Sequence, residues 1–166
     1  MMQKNTLLTV GWREWLALPE LGIPAIRVKV DTGARTSALH TFNLETFVEN
    51  GQRKVRFGVH PLRRHPKIEI FCVADLLDER VVTNSGGASE RRVVIQTPIR
   101  LGDREWPIEI TLANRESMKF RMLLGRTAMA GQMLVDPNGS YLLGHRLKKA
   151  YQNKLSPKIK SETSSS

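Results

Sequence analysis

Val28-Lys29-Val30-Asp31-Thr32-Gly33-Ala34-Arg35-Thr36-Ser37-Ala38-Leu39 joins an apolar strand to a carboxylate set among small residues. Ile26, Val28 and Val30 alternate with Arg27 and Lys29, the period of a half-buried strand. The strand runs into Asp31-Thr32-Gly33. Gly33 permits a sharp backbone turn, and Thr32 and Ser37 can hydrogen-bond nearby backbone. Gly33, Ala34 and Ala38 are small enough to admit a second chain segment at close range. The stretch predicts a carboxylate at a strand end, held in a tight loop. Asp-Thr-Gly alone is an ordinary turn tripeptide and specifies no chemistry by itself.

Met122-Leu123-Leu124 is a second apolar strand, ending in Gly125-Arg126-Thr127. An apolar strand entering Asp31-Thr32-Gly33-Ala34, with a hydrophobic-hydrophobic-Gly-Arg strand further on, resembles the retropepsin-type aspartic peptidases. The resemblance is closer to one bacterial family of retropepsin-like proteins, labelled ATP-dependent zinc proteases. Its members are often encoded near the ligase that adds glutamates to a ribosomal protein. Gly11-Trp12-Arg13-Glu14-Trp15, Leu18-Pro19-Glu20-Leu21, Val30 through Leu39, Asn114-Arg115 and Leu123-Leu124-Gly125-Arg126 carry it, in order, over roughly Val10 to Leu143. The resemblance implies an all-β, closed acid-protease barrel with one short helix after the Gly-Arg motif. It implies Asp31, Thr32 and Gly33 as the catalytic loop, with Ser37, Gly125 and Arg126 close by as structural support.

Outward from these strands the chain reads as further short strands. Thr9 to Leu18 is a first strand, and Pro19, Gly22 and Pro24 mark the turn before Ile26 to Val30. Trp12 and Trp15 read as packing residues, and Glu14 as a cross-strand partner of Arg27 or Lys29. Phe42 to Val48 and Val55 to Val59 flank Asn50-Gly51, a hairpin signal. His60 to Pro66 is a basic, proline-bounded loop before a strand over Ile68 to Val73. Trp106, Ile108, Ile110 and Leu112 alternate with polar positions, and Pro107 suggests a strand edge. Thr127 to Ala130 suits a short helix closed by Gly131. Met133 to Val135 and Ser140 to Leu143 read as a last hairpin around Asn138-Gly139.

Strands around Arg80-Val81-Val82 and Arg91 to Ile95 bracket a Gly/Ser tip, Thr83 to Ser89. By itself this is a surface hairpin. The resemblance implies a lid that closes over substrate. Ala34, Arg35, Arg80, Asn84, Ser85, Gly86, Gly87, Arg91 and Arg92 are then the expected substrate contacts, and the lid arginines suit an acidic peptide.

The chain has 166 residues and 40% hydrophobic content, enough for one cored domain. Residues 1–8 read as an N-terminal extension, 9–145 as the domain and 146–166 as a disordered basic tail. No apolar run is long enough to span a bilayer, and no signal peptide is evident, so a cytoplasmic protein is expected. Cys72, the single cysteine, reads as a buried structural thiol. Net charge is +10, and the tail holds six Lys and Arg against one Glu, which leaves the rest at +5. Such a tail is commonly a solvated end; its functional reading is contact with RNA, the ribosome or an acidic substrate.

Acid–base peptide hydrolysis needs one group to accept a proton from water and another to give one to the carbonyl oxygen. Two adjacent carboxylates do both, because they do not both ionise. The chain has a single Asp-Thr-Gly. The chemistry therefore requires a homodimer that brings two copies of Asp31 together. One departure from the family stands out. Many retropepsins carry an acid after Asp-Thr-Gly-Ala to pair with the Gly-Arg arginine, and Arg35 holds that place here. Arg35 and Arg126 should repel unless a carboxylate lies between them, or else serve a substrate carboxylate. There is no His-Glu-x-x-His and no phosphate-binding Gly-Lys loop, so neither zinc nor ATP is expected as a cofactor. Nothing flags a Ser/His nucleophile at Ser37 and His40. Two other readings stand beside the peptidase: a non-catalytic barrel that binds acidic tails or ribosomal RNA, and a metallohydrolase.

Overall fold

A computed structural model describes residues 6–83 and 86–152. Twelve strands account for most of them: β1 (Leu8–Val10), β2 (Arg13–Leu18), β3 (Ile23–Val30), β4 (Ser37–His40), β5 (Phe42–Glu49), β6 (Gln52–Val59), β7 (Ile70–Asp75), β8 (Asp78–Thr83), β9 (Ser89–Leu101), β10 (Arg104–Ala113), β11 (Met122–Leu124) and β12 (Met133–Val135). One short helix, α1 (Arg126–Met129), begins at the arginine of the Gly-Arg pair, and 3-10 turns cover Pro19–Leu21 and Arg146–Tyr151.

The main sheet runs β10-β4-β11-β3-β2-β9, and β9 pairs again with β10 to close a six-stranded barrel. Closure leaves no open edge in that ring. β8 lies outside it, hydrogen-bonded to the first half of β9. β5, β6 and β7 form a separate antiparallel sheet. The expected all-β barrel with one short helix is thus the observed fold.

Alternation fills the barrel. Val28 and Ile26 on β3, and Ile108, Ile110 and Leu112 on β10, are buried with Leu16, Leu39, Ile95, Met122 and Leu124. Each such aliphatic side chain contributes about 1.5–3 kcal/mol when removed from water. Pro107 faces Pro98 on β9, in the part of β10 that β4 does not reach, so it removes no ladder bond on an occupied side. Asn50 and Gly51 both have positive φ (53° and 79°), as a two-residue hairpin turn requires.

Three expectations change. The first strand breaks into β1 and β2 at Gly11-Trp12, where the chain crosses the 136–139 turn: Trp12 N–H donates to Gly139 O at 2.8 Å. A Cβ on Gly11 would sit 2.2 Å from that oxygen, so only glycine permits the crossing. The last hairpin does not form. β12 pairs instead with β1, in parallel, and residues 140–143 are a non-strand segment. The tail does not begin at Arg146: Arg146–Tyr151 is a 3-10 helix whose Tyr151 side chain is buried and donates to Ala25 O at 2.6 Å. Residues 153–166 lie outside the described part. No described helix is long and apolar enough to cross a membrane.

Candidate active site

Asp31 follows the last residue of β3, and Ser37 opens β4, so the loop 31–36 turns the chain between them. β11 lies beside both strands, parallel to β3 and antiparallel to β4. Its C-terminal end reaches the loop. Asp31 N–H donates to Leu124 O (2.8 Å), Arg126 N–H to Ala34 O (2.8 Å) and Thr127 N–H to Arg35 O (3.0 Å). Gly125 N–H donates to the buried Ser37 hydroxyl oxygen at 3.0 Å. The Arg126 guanidinium donates to Thr32 O at 3.0 Å. Backbone of one motif is thus tied to backbone of the other, which holds the loop by many short links rather than one.

Within the loop, Gly33 N–H donates to Asp31 Oδ1 at 3.0 Å. This orients the carboxylate of Asp31, which is half-buried, while Thr32 and Gly33 are exposed. Gly33 is not in the left-handed region, so its role is close approach: a Cβ would lie 3.2 Å from Asp31 Oδ1. The Ser37 side chain is buried, and its hydroxyl oxygen is taken up by Gly125 N–H. The concern over Arg35 and Arg126 resolves differently from expectation. Arg126 anchors to a backbone carbonyl, and exposed Arg35 makes no ion pair among the described residues. A carboxylate between them is therefore not what holds the loop.

A cavity of about 310 Å³ opens beside the loop, lined by Ala34, Thr36, Ser37, Ala38, Arg80, Arg92, Thr111, Arg115 and Leu123. It brings the loop together with Arg80 and Arg92 of the β8–β9 hairpin. Arg80 also pairs with Asp78 at 3.0 Å and lies 3.6 Å from Glu109; Arg92 pairs with Glu90 at 3.3 Å. The Arg92 Nε is buried with no hydrogen-bond partner among the described residues. Arg91, the neighbour of Arg92 on β9, points to the other side: it pairs with Glu79 at 2.9 Å and borders a separate hollow with Thr41 and Asn114. Gly86 and Gly87 are exposed at the tip, with Gly87 at φ 89°. Asn84 and Ser85 lie outside the described residues.

Arg115 was legible only as part of the Asn114-Arg115 motif, with no role attached; its place in the cavity follows from the loop after β10. Two buried polar residues have partners that the sequence did not point to. Glu14 does not pair with Arg27 or Lys29. Its carboxylate accepts from Gly11 N–H (2.7 Å), Leu142 N–H (2.9 Å) and Leu143 N–H (3.2 Å), pinning residues 140–143 where a strand was expected. His40 is fully buried. Its Nδ1 accepts from Arg115 N–H at 2.9 Å, and its Nε2 faces Glu116 at 3.4 Å. Burial first, then the Arg121 charge, holds its pKa below the usual value, against the pull of Glu116. Cys72 is buried as expected, and burial pushes its thiol up to about 12.

A model of the RimB-like family, described as retropepsin-like aspartic endopeptidase RimB, matches residues 9–146. The chain belongs to the RimB-like family. Two curated relatives of this RimB-like chain are named probable alpha-L-glutamate ligase. One, from Desulfotalea psychrophila, is 47% identical over 135 residues, covering 81% of this chain and 29% of the relative. The other, from Parasynechococcus marenigrum, is 48% identical over 137 residues, covering 82% and 29%. The RimB-like chain therefore spans less than a third of the length of these relatives. A crystal structure of a Legionella pneumophila protein of unknown function shares the fold, with a TM-score of 0.70 and 24% identity over 83% of this chain and 99% of that one.

Proposed function

We propose that this chain is an aspartic endopeptidase of the cytoplasm that acts as a homodimer, with one Asp31 from each subunit activating water. The observation that carries the reading is the Asp31 loop itself, oriented by Gly33 and bound to β11 and Arg126. Such a loop keeps a carboxylate in one place at little reorganisation during reaction. The single Asp-Thr-Gly makes the second carboxylate the contribution of another copy.

In that dimer one Asp31 is ionised and the other protonated, and the pair titrates as a unit. The ionised carboxylate takes a proton from water as its oxygen bonds to the scissile carbonyl carbon. The protonated carboxyl gives its proton to the carbonyl oxygen. The tetrahedral adduct then breaks its C–N bond: the leaving nitrogen takes the proton held by the first carboxyl, and a hydroxyl of the adduct returns its proton to the second carboxylate. Thr32 braces the two loops across the axis.

An acidic or glutamate-extended protein is the proposed substrate. Arg80, Arg92 and Arg115 around the cavity support it, since guanidinium forks suit carboxylates. The ligase names of the relatives support it as well, because adding glutamates creates such chains. A second reading, a non-catalytic barrel that binds acidic tails or ribosomal RNA, rests on Arg35, an exposed cation where this type of peptidase carries an acid.

The test compares wild type with Asp31→Asn on a pool of glutamate-rich and neutral peptides, read by mass spectrometry over a range of enzyme concentrations. Cleavage should fall by about a thousandfold or more in the variant. Wild-type activity per subunit should rise with concentration, as a dimer requires. Equal cleavage by both proteins would remove Asp31 as the catalyst. Binding of acidic peptides without cleavage by either would favour the second reading.

A further inference from the structure

A second cleft, of about 420 Å³, lies on the outer face of the β2–β3 hairpin, against the 61–65 loop and the segment entering β11. Arg13, Arg27, Arg63, Arg64, Lys119 and Arg121 line it, and no acidic residue does among the described residues. None of the residues that line the cavity beside the 31–36 loop takes part. Val30 N–H, just before Asp31, donates to Trp12 O at 2.8 Å.

Elsewhere on the surface, Arg53, Arg56, Arg91 and Arg100 each meet a carboxylate. In this cleft, Arg13, Arg27, Arg63, Arg64 and Lys119 have no ion pair among the described residues. Holding like charges together without counter-charge is unfavourable unless an anion completes the set. Arg121 sharpens the point. It is only 8% exposed, its Nε has no hydrogen-bond partner among the described residues, and its nearest carboxylate oxygen, on Glu116, is 4.0 Å away. A buried, unmatched guanidinium N–H lacks compensation that a bound acceptor would supply.

Two of the guanidinium groups are held in place before any ligand arrives. Arg13 lies between Trp12 and Tyr141, 4.6 and 4.8 Å from the ring centres, and donates to Ser140 Oγ at 2.6 Å. Arg27 lies 5.1 Å over Phe120 and donates to Tyr141 Oη at 3.3 Å. Trp12 and Phe120 in turn pack edge to face at 5.9 Å. Aromatic faces here orient cations instead of standing bare for nucleobases, which single-stranded nucleic acid recognition uses. A guanidinium stacked on a ring keeps its remaining N–H groups off the ring face, and such groups suit carboxylates.

We infer that this cleft is a second binding site, separate from the cavity beside the 31–36 loop, that holds an acidic peptide segment through Arg13, Arg27 and Arg121, with Arg63, Arg64 and Lys119 at its rim. It extends the acidic-substrate reading by a second contact, and it stands whether or not Asp31 cuts.

The test uses full-length Asp31→Asn protein, so that no peptide is consumed, and follows the anisotropy of a labelled deca-glutamate peptide. Arg27→Gln and the exposed pair Arg63→Glu/Arg64→Glu should each weaken binding about tenfold or more, and by the same factor in a parent that also carries Arg80→Gln/Arg92→Gln, as a separate site requires. Thermal melts of each variant identify any loss of fold, and the exposed pair keeps the test open if Arg27→Gln unfolds. No binding by the parent protein, or equal binding by the cleft variants and the parent, would overturn the inference. So would an oligouridylate of equal charge that binds more tightly than the peptide and is lost in the same variants, which would make the cleft a nucleic-acid site.

Discussion

Gly125 packs against the backbone of the loop it braces. A Cβ there would lie 2.6 Å from the Thr36 carbonyl carbon and 2.9 Å from Ser37 N, atoms that cannot swing aside as a side-chain end can. Gly125→Ala should destabilise the protein by about 1–3 kcal/mol through overpacking and loosen the Asp31 loop. A thermal melt and a turnover assay, both unchanged, would show that the close approach does not matter. His40 makes a pH prediction. Its folded-state pKa is depressed, mainly by burial, so the folded protein binds that proton less readily than the unfolded chain does. The stability it contributes is present above the unfolded value of 6.5 and is lost as pH falls below it. Urea midpoints at about pH 7.5 and about pH 5.5 should differ, and the difference should shrink in His40→Asn, which keeps an acceptor for Arg115 N–H. A drop of the same size in the variant would assign it to other groups.

At the scale of elements, the β8–β9 hairpin brings Arg80 and Arg92 to the loop cavity. Their pairs with Asp78 and Glu90 are partly exposed, so both can exchange a protein carboxylate for a substrate one at small cost. Arg92→Gln should raise KM for a glutamate-rich peptide severalfold to about tenfold, with little effect on a neutral peptide. Equal effects on both peptides would point to a structural role. β3, β10 and the β5–β6 hairpin were legible because alternation and Asn-Gly are local signals. β4 was not. Ser37-Ala38-Leu39-His40 has no alternation to read, and becomes a strand through parallel pairing with β10 and antiparallel pairing with β11. β12 was read as half of a hairpin, yet it pairs with β1, which lies far away in sequence. Glu14 explains why its expected partner stays out: the carboxylate takes the N–H groups of Leu142 and Leu143.

For the whole molecule, Tyr151 closes the barrel's outer wall. It is 1% exposed, packs with Ala25 and Ile68, and burial pushes its hydroxyl up to about 12. Tyr151→Ala should cost about 3–5 kcal/mol, comparable to other aromatic truncations in cores. Unfolding in urea measures it, and an unchanged midpoint would return residues 146–152 to the status of a dispensable tail.

The residues by themselves determined the all-β class and a carboxylate in a tight loop at a strand end; the link of that loop to the Gly125-Arg126 strand was implied by the family resemblance. Strand alternation, small residues and turn pairs act over a few positions, and the two motifs are adjacent because their strands are. What the tertiary structure alone decided is which charges face each other. Arg126 holds a carbonyl, Arg91 and Arg92 part to opposite sides of one strand, and Arg13, Arg27 and Arg121 gather in a cleft without acids. Such groupings join residues more than a hundred positions apart, as in the contact of Arg27 with Tyr141. No local pattern encodes them, because they depend on how the barrel closes.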